Sequence, residues 1–284
     1  MSLHNKALLL SLSIGMPPQS KSLKDEAVRL EIKHSTEERQ VQVVRKLFAK
    51  QDIKPLQQVA TKARQWFRER TLPFGRGQGI IPAKAYFNLM NDLGALRLEF
   101  NREKENLLNN MTDVLRRAQV ANGSLFDVNN YPSLSEMANN IYFSIEVTPV
   151  PAGNDYDKLA DLSPEEIETL KREAVLNNQS KVEFAIKDLY DRLLKGLKHV
   201  ADRLTDDDEG MKIFRDTLIG NINKAIEAAE TLNVADDDKL ADFTSQVKDV
   251  FDGLTASDLR RDSQLRTEVA EKSADLAQRM SELF

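Results

Sequence analysis

The first clear pattern along the chain is an alternation of apolar and polar positions near the N-terminus. Between Ala7 and Ile14, a large apolar residue occurs at every second position. This period of two predicts a half-buried strand, which the glycine and prolines at 15–18 end. The run could pass for a short secretory leader, but Ser11 and Ser13 interrupt it and no Ala-x-Ala site follows. We therefore expect a strand in a cytoplasmic protein.

The next segments favour helices. Asp25–His34 is ambiguous, because its apolar residues alternate as in a strand while its charged start is typical of a helix. Residues 36–50 carry an apolar stripe that predicts a short helix. Pro55, at a first-turn position, predicts the start of another helix that ends near Pro73.

A glycine-rich stretch, residues 71–82, is predicted as a loop between two helices. From Pro82 to about Ala118, apolar residues recur at steps of three and four, which predicts one long helix. Its stripe is close to the heptad pattern of a coiled coil, so we expect an antiparallel partner of similar length.

A second strand is predicted at Ile141–Val147, where apolar and polar residues again alternate. Isolated strands are marginal in water, so the two strands should pair with each other. Ser163, Pro164 and Glu166 combine an N-cap, a first-turn proline and a capping-box glutamate, which predicts the start of a second long helix of about 40 residues. Three shorter helices follow it, over residues 211–232, 239–254 and 262–283.

These elements predict a mainly α protein with some β structure: a long antiparallel helix pair, additional helices and a small antiparallel β-sheet. Residues 1–153 would form a basic half with the sheet, the glycine loop and the first long helix. Residues 154–284 would form an acidic helical half packed on the first, in one composite domain. The first 120 residues hold 21 Lys and Arg against 12 Asp and Glu, whereas the remainder hold 19 against 33.

Composition excludes several kinds of chemistry. The chain has no cysteine, so thiolate sites are excluded, and its three histidines, at positions 4, 34 and 199, leave little material for a histidine-rich metal centre. The acidic run at 206–209 does not fit a calcium loop. We find no nucleophile elbow or phosphate loop, and therefore expect no enzyme activity, no bound metal and no cofactor. No apolar stretch is long enough for a membrane span.

The glycine loop and the cations beside it are the candidate site. Gly75, Gly77 and Gly79 alternate and expose backbone N–H groups, but they match neither a Walker A loop nor a dinucleotide fingerprint. The loop could instead be a helix connector or an oligomer contact. In the nucleic-acid reading, five cations neutralise phosphates while Phe74, between a proline and a glycine, stacks on a base. The five cations are Arg64, Arg68, Arg70, Arg76 and Lys84.

Weak motifs spread over nearly the whole chain resemble a family of uncharacterised proteins from tailed bacteriophages and prophages. The motifs are Ala63-Arg64, Thr71-Leu-Pro-Phe-Gly75, Ile80-Ile-Pro-Ala83, Tyr86, Phe100, Leu125-Phe126, Tyr131-Pro132, Val147-Thr-Pro-Val-Pro151, Asp155 and Asp258-Leu-Arg-Arg-Asp262. The resemblance implies a phage origin and action in the host cytoplasm, among genes for replication, recombination or host takeover. It brings no catalytic residues with it.

Three functions remain open at this point. The leading hypothesis is a non-enzymatic accessory protein that binds nucleic acid, in particular single-stranded DNA, through the basic half and that forms homo-oligomers. The second is an inhibitor or adaptor that binds a host protein, with the acidic half imitating DNA or occupying a basic cleft. The third is a virion or assembly protein. Arginines that are scattered, or neutralised within the molecule, would favour the second hypothesis over the first.

Overall fold

The structure is a computed structural model that describes residues 3–75, 77–152, 156–157, 161–205 and 212–282. It is mainly helical with a small antiparallel sheet, which confirms the predicted fold class. The helices are α1 Lys24–His34, α2 Lys50–Arg70, α3 Tyr86–Asn109, α4 Met111–Asn122, α5 Leu134–Asn140, α6 Pro164–Leu204, α7 Thr217–Leu232, α8 Asp238–Phe251, α9 Ala256–Arg261 and α10 Ser263–Ser281. The strands are β1 Ala7–Ile14, β2 Ser20–Ser22, β3 Val44–Lys46, β4 Leu72–Gly75, β5 Gln78–Pro82 and β6 Phe143–Pro149.

Two compact units share the chain. Unit 1 comprises Met1–Ser11, Trp66–Leu89 and Glu146–Phe284, and unit 2 comprises Leu12–Gln65 and Met90–Ile145. Each unit is therefore built from separated segments, whereas the sequence analysis divided the chain at residue 153. The chain passes from one unit to the other within β1, α2, α3 and β6.

The main sheet has the strand order β4-β5-β1-β6. The two strands predicted from alternation, β1 and β6, are neighbours in it, as expected, although β6 lies two residues later than predicted. β1 runs antiparallel to β5, with Ala7 opposite Pro82 and Ser11 opposite Gln78. The glycine stretch is thus not a loop: it forms β4 and β5, and that prediction was wrong.

Close packing explains why the glycine stretch becomes a hairpin. Gly79 in β5 lies opposite Leu10 in β1 and Pro73 in β4. A Cβ atom at position 79 would stand 2.3 Å from the Oγ1 atom of Thr71, so only glycine fits there. Gly77, in the turn between the strands, has φ +73°, a left-handed conformation that favours glycine.

The long helix α6 begins as the sequence predicts. The Ser163 hydroxyl accepts a hydrogen bond from the Glu166 N–H at 3.3 Å, and the Glu166 carboxylate accepts one from the Ser163 N–H at 2.8 Å. The helices that pack most extensively on α6 are α10 and α7, all within unit 1.

Unit 2 has an apolar core built from α2, α3, α4, α5 and the residues that precede α2. Phe100, Met137 and Ile141 are fully buried in it. The predicted helix over residues 36–50 is absent from this unit, because its valines favour extended backbone and Val44–Lys46 pairs with Ser20–Ser22 instead. The ambiguous segment before it is helix α1.

The predicted helix over residues 82–118 is broken into α3 and α4. At the break, the Asn110 side chain donates to the carbonyl of Asn106 at 2.8 Å. Asparagine side chains compete with the backbone for such hydrogen bonds, which weakens a helix interior. The three- and four-residue spacing of apolar residues therefore continues across the break. That spacing alone does not show where the helix is interrupted.

Candidate interaction site

The residues of the predicted nucleic-acid site fall partly in unit 1 and partly in unit 2. Arg64 belongs to unit 2, whereas Arg68, Arg70, Phe74, Arg76 and Lys84 belong to unit 1. Arg64 donates from Nη2 to the carbonyl of Ile14 at 3.0 Å. By sequence count, unit 1 carries 24 Lys and Arg against 32 Asp and Glu, and unit 2 carries 16 against 13. Most of the candidate cations thus lie in the acidic unit, so the two halves of the sequence do not become two oppositely charged bodies.

Carboxylates of unit 1 neutralise part of this positive charge. Arg70 forms an ion pair with Glu227 of α7. Arg68 and Lys84 remain exposed. Lys84 and Lys6 together lower the pKa of Asp236, mainly through the hydrogen bond from Lys6. Arg76 lies outside the described residues.

Phe74 is not the exposed stacking residue that the sequence analysis expected. Its side chain is 2% exposed, and the Lys181 ammonium lies 5.2 Å from its ring centroid. The expected exposure was wrong because Phe74 belongs to β4, which packs against α6. Gly79 has strands on both sides, so its backbone is committed to the sheet and cannot cradle a phosphate.

Unit 1 has a groove along α6, which we call the α6 groove. Its first section has a volume of about 420 Å³ and its second about 320 Å³, and the two share Val182, Glu183 and Ala235. The side chains that line the first section are mostly apolar. They include Leu3, Val150, Pro151, Val175, Val182 and Val234.

Hydrogen bonds and ion pairs hold the walls of the first section. The Asn178 amide donates to the carbonyl of Pro151 at 3.0 Å, which fastens the segment after β6 to α6. Lys6, which also lines this section, forms an ion pair with Asp236. The groove is therefore preformed by structure rather than left between mobile side chains.

The second section of the groove is lined by a larger share of charged side chains than the first. Tyr190 donates from its hydroxyl to Asp237 at 3.3 Å, and burial together with this carboxylate raises the pKa of Tyr190 to about 12. Asp237 also caps α8 by accepting the Leu240 N–H at 3.0 Å. Lys187 and Lys239 line the same section and are exposed.

The half of α6 beside the groove contributes little to the core. Residues 164–184, all of which the structure describes, contain no buried side chain, and the buried residues of α6 begin at Ala185. Val175, Leu176 and Phe184 are 52%, 57% and 62% exposed. Sequence reasoning missed this surface because it expected the second long helix to pair along its length with the first. The unusual length of that helix was the available signal.

Two further observations concern sites in the described part of the chain. No group of three or more His, Asp and Glu side chains there could hold a metal ion. No helix within the same residues is both long and apolar enough to cross a membrane.

Comparison with known proteins assigns the chain to a family. Residues 4–207 match DUF3150, described as a protein of unknown function, and the chain belongs to that family. No curated protein and no solved structure matches the chain. The family membership agrees with the resemblance to uncharacterised proteins.

Proposed function

We propose that this protein is a non-enzymatic adaptor that binds an amphipathic helix of a partner protein in the α6 groove. The observation that carries the proposal is the apolar, preformed groove beside a helical half that has no buried side chain. Apolar surface of this kind is typical of protein interaction sites. The bacteriophage resemblance adds, as part of the proposal, that the partner is a host protein.

The length of the groove suits a helix as its occupant. Its two sections follow α6 from Val175 to Tyr190, which corresponds to about 22 Å at about 1.5 Å per residue. A partner helix of about four turns has this length. Its apolar side chains would enter the first section at three- and four-residue spacing, as in other helix-in-groove complexes.

The rim charges indicate the character of the partner helix. Asp237 is already engaged by Tyr190 and by the α8 backbone, whereas Lys187 and Lys239 extend from the second section with no ion pair to a described residue. Glu183 is the remaining carboxylate on the rim. We therefore expect acidic residues on the part of the partner that contacts the second section.

Site-specific photo-crosslinking in a bacterial lysate tests the proposal. A photoreactive amino acid at Gln179, which lines the groove, should capture one stoichiometric partner with or without nuclease treatment. The same amino acid at Ser180 is the matched control, because Ser180 is exposed on the same helix and does not line the groove. Equal capture at both positions, or loss of the partner after nuclease treatment, would contradict the proposal.

Adjacent substitutions then test whether the groove supplies the affinity for the captured partner. Val175→Asp places a charge in the groove and should weaken partner binding at least about tenfold. Leu176→Asp introduces the same charge on an equally exposed neighbour that does not line the groove, and should change the affinity by less than about twofold. Equal effects of the two substitutions would show that binding occurs elsewhere.

Nucleic-acid binding remains a second candidate function. The observation in its favour is that Arg68 and Lys84 are exposed and lack an ion pair with any residue that the structure describes. Two phosphate contacts would give a salt dependence far below that of a protein that makes about 6–10 contacts. We therefore place this function behind the adaptor.

A further inference from the structure

We propose that a cleft between the end of α6 and the start of α7 binds the phosphate group of a small molecule. The cleft has a volume of about 260 Å³ and belongs to unit 1. It shares no residue with the α6 groove. The proposal is therefore independent of the adaptor function.

The side chains that line the cleft have the chemistry of an oxyanion site. His199 and Arg203 lie four residues apart on α6 and so share one face of that helix. Arg215 lines the cleft from the segment before α7, and its guanidinium can donate two parallel hydrogen bonds to a phosphate. Thr217 and Asn221, also four residues apart, add a hydroxyl and an amide donor from α7.

Two neighbouring carboxylates that the structure describes, Asp202 and Asp216, each have a closer cation outside the cleft. Asp216 forms an ion pair with Arg260 at 2.7 Å. The same arginine donates a hydrogen bond to the carbonyl of Phe214 at 2.9 Å. Asp202 lies 3.4 Å from the Lys212 ammonium, while its distance to Arg203 is 3.8 Å. None of the described residues that line the cleft is acidic.

These contacts leave positive charge available at the cleft. Arg203 keeps only a long ion pair, and Arg215 has none with the described residues. Guanidinium groups bind phosphate through charge-assisted hydrogen bonds that are roughly twice as strong as neutral ones. The volume of the cleft exceeds that of a single phosphate. The cleft therefore has room for part of the molecule to which the phosphate is attached.

Calorimetric titration of the full chain with inorganic phosphate and with phenyl phosphate tests the proposal. Both probes should bind, and sulfate should compete with them while sodium chloride at matched ionic strength should not. Tighter binding of phenyl phosphate would identify a phosphate ester as the ligand, and equal binding would identify free phosphate. Absence of binding by both probes would overturn the proposal.

Arginine substitutions provide the residue-level test. Arg203→Gln and Arg215→Gln should each weaken phosphate binding at least about tenfold, because each removes a charge-assisted donor. Arg172→Gln removes the same charge from an exposed position in the other half of α6 and should leave binding unchanged. Circular dichroism would check that each variant folds, with Asn221→Ala as a milder replacement. An equal loss in Arg172→Gln would show general charge attraction and would overturn the proposal.

Discussion

Arg70 and Glu227 form an ion pair in unit 1, between the Nη1 atom of the arginine and the Oε1 atom of the glutamate. The arginine comes from the basic stretch of the sequence and the glutamate from the acidic stretch. Lys224 and Glu69 form the converse pair at 3.4 Å on the same two helices, α7 and α2, with the cation from the acidic stretch and the carboxylate from the basic one. Arg70, one of the candidate phosphate contacts, is thus neutralised within the molecule and is less available to a polyanion.

The binding of single-stranded DNA should therefore be weak and should depend only modestly on salt. With Arg68 and Lys84 as the phosphate contacts that the described part of the candidate site in unit 1 supplies, affinity should fall about tenfold between about 50 and 200 mM salt, instead of the about 10³-fold or more of extensive phosphate binders. Fluorescence anisotropy of a labelled oligonucleotide measures this dependence.

Glu227→Gln should increase DNA affinity slightly by releasing Arg70, and should change the free energy of unfolding by less than about 1 kcal/mol. A steep salt dependence in the unmodified protein would restore the nucleic-acid hypothesis to first place.

Substitution of the three hairpin glycines by alanine should give graded losses of stability. Gly79→Ala should be the most damaging, at about 2–3 kcal/mol or more, because its Cβ would collide with buried Thr71. Gly77→Ala should lower the free energy of unfolding by about 1–2 kcal/mol, since its φ of +73° strains any L-residue. Gly75→Ala should be nearly neutral, because the nearest atom to its Cβ would be 3.4 Å away. Urea unfolding followed by circular dichroism measures all three, and a different ranking would contradict the packing described for β5.

Arg192 should be important for the stability of unit 1, although it lies far in sequence from the residues that it holds. Its guanidinium donates to the carbonyls of Arg68, Glu69 and Thr71, each at 3.0 Å, where α2 ends. A lysine ammonium cannot reproduce this set of three hydrogen bonds. We therefore expect Arg192→Lys to lower the free energy of unfolding by about 2–4 kcal/mol. Fluorescence of Trp66, the only tryptophan and a residue of unit 1, reports the unfolding. Arg172→Lys, at an exposed position, is the control and should have no effect. An Arg192→Lys protein as stable as the unmodified one would show that water replaces the three hydrogen bonds without a loss of stability.

Several elements were predictable because short-range signals determine them. Alternation defined β1 at its correct ends, and the side chains of Ser163 and Glu166 determined where α6 begins. The family resemblance added little to these predictions, because local sequence already contained them. Such signals act within a turn or a strand and do not require the rest of the molecule.

The features that decide function were not predictable in the same way. From the sequence, Phe74 is expected to be an exposed loop residue, whereas in the structure β4 packs against α6 and buries it. Gly79 is expected to be flexible, whereas in the structure it packs closely against Thr71. The α6 groove depends on the segments around Pro151 and Val234, which are 83 residues apart in the chain. Long-range packing of this kind has no local signature, and it places Phe74, Gly75 and Gly79 of the predicted site in a sheet.

The stability of the protein should fall at alkaline pH because of Tyr190. Burial and Asp237 raise the folded pKa of Tyr190 to about 12, above the ordinary value of 10.0. The neutral phenol is thus favoured in the folded state, so its contribution is complete below pH 10 and is lost as the pH rises towards 12. At about pH 11 the loss should be about 1 kcal/mol. Urea unfolding of the protein and of Tyr190→Phe at each pH isolates this contribution; a difference between the two that does not change with pH would contradict the raised pKa.

Gly196 of α6 lies against Ile222 of α7, and a substitution pair tests that contact. A Cβ at position 196 would stand 2.6 Å from the Cδ1 atom of fully buried Ile222, so Gly196→Ala should destabilise the protein by about 1–3 kcal/mol. Ile222→Val removes that Cδ1 atom, and the double variant should be more stable than the sum of the two single effects predicts. Gly220→Ala on α7 meets no atom within 4 Å and should instead stabilise the protein by about 0.5–1 kcal/mol. Thermal and urea unfolding measure the four variants. Additive losses in the double variant would mean that the helices separate to accommodate the methyl group, and that the α6–α7 contact is less tightly packed than the structure shows.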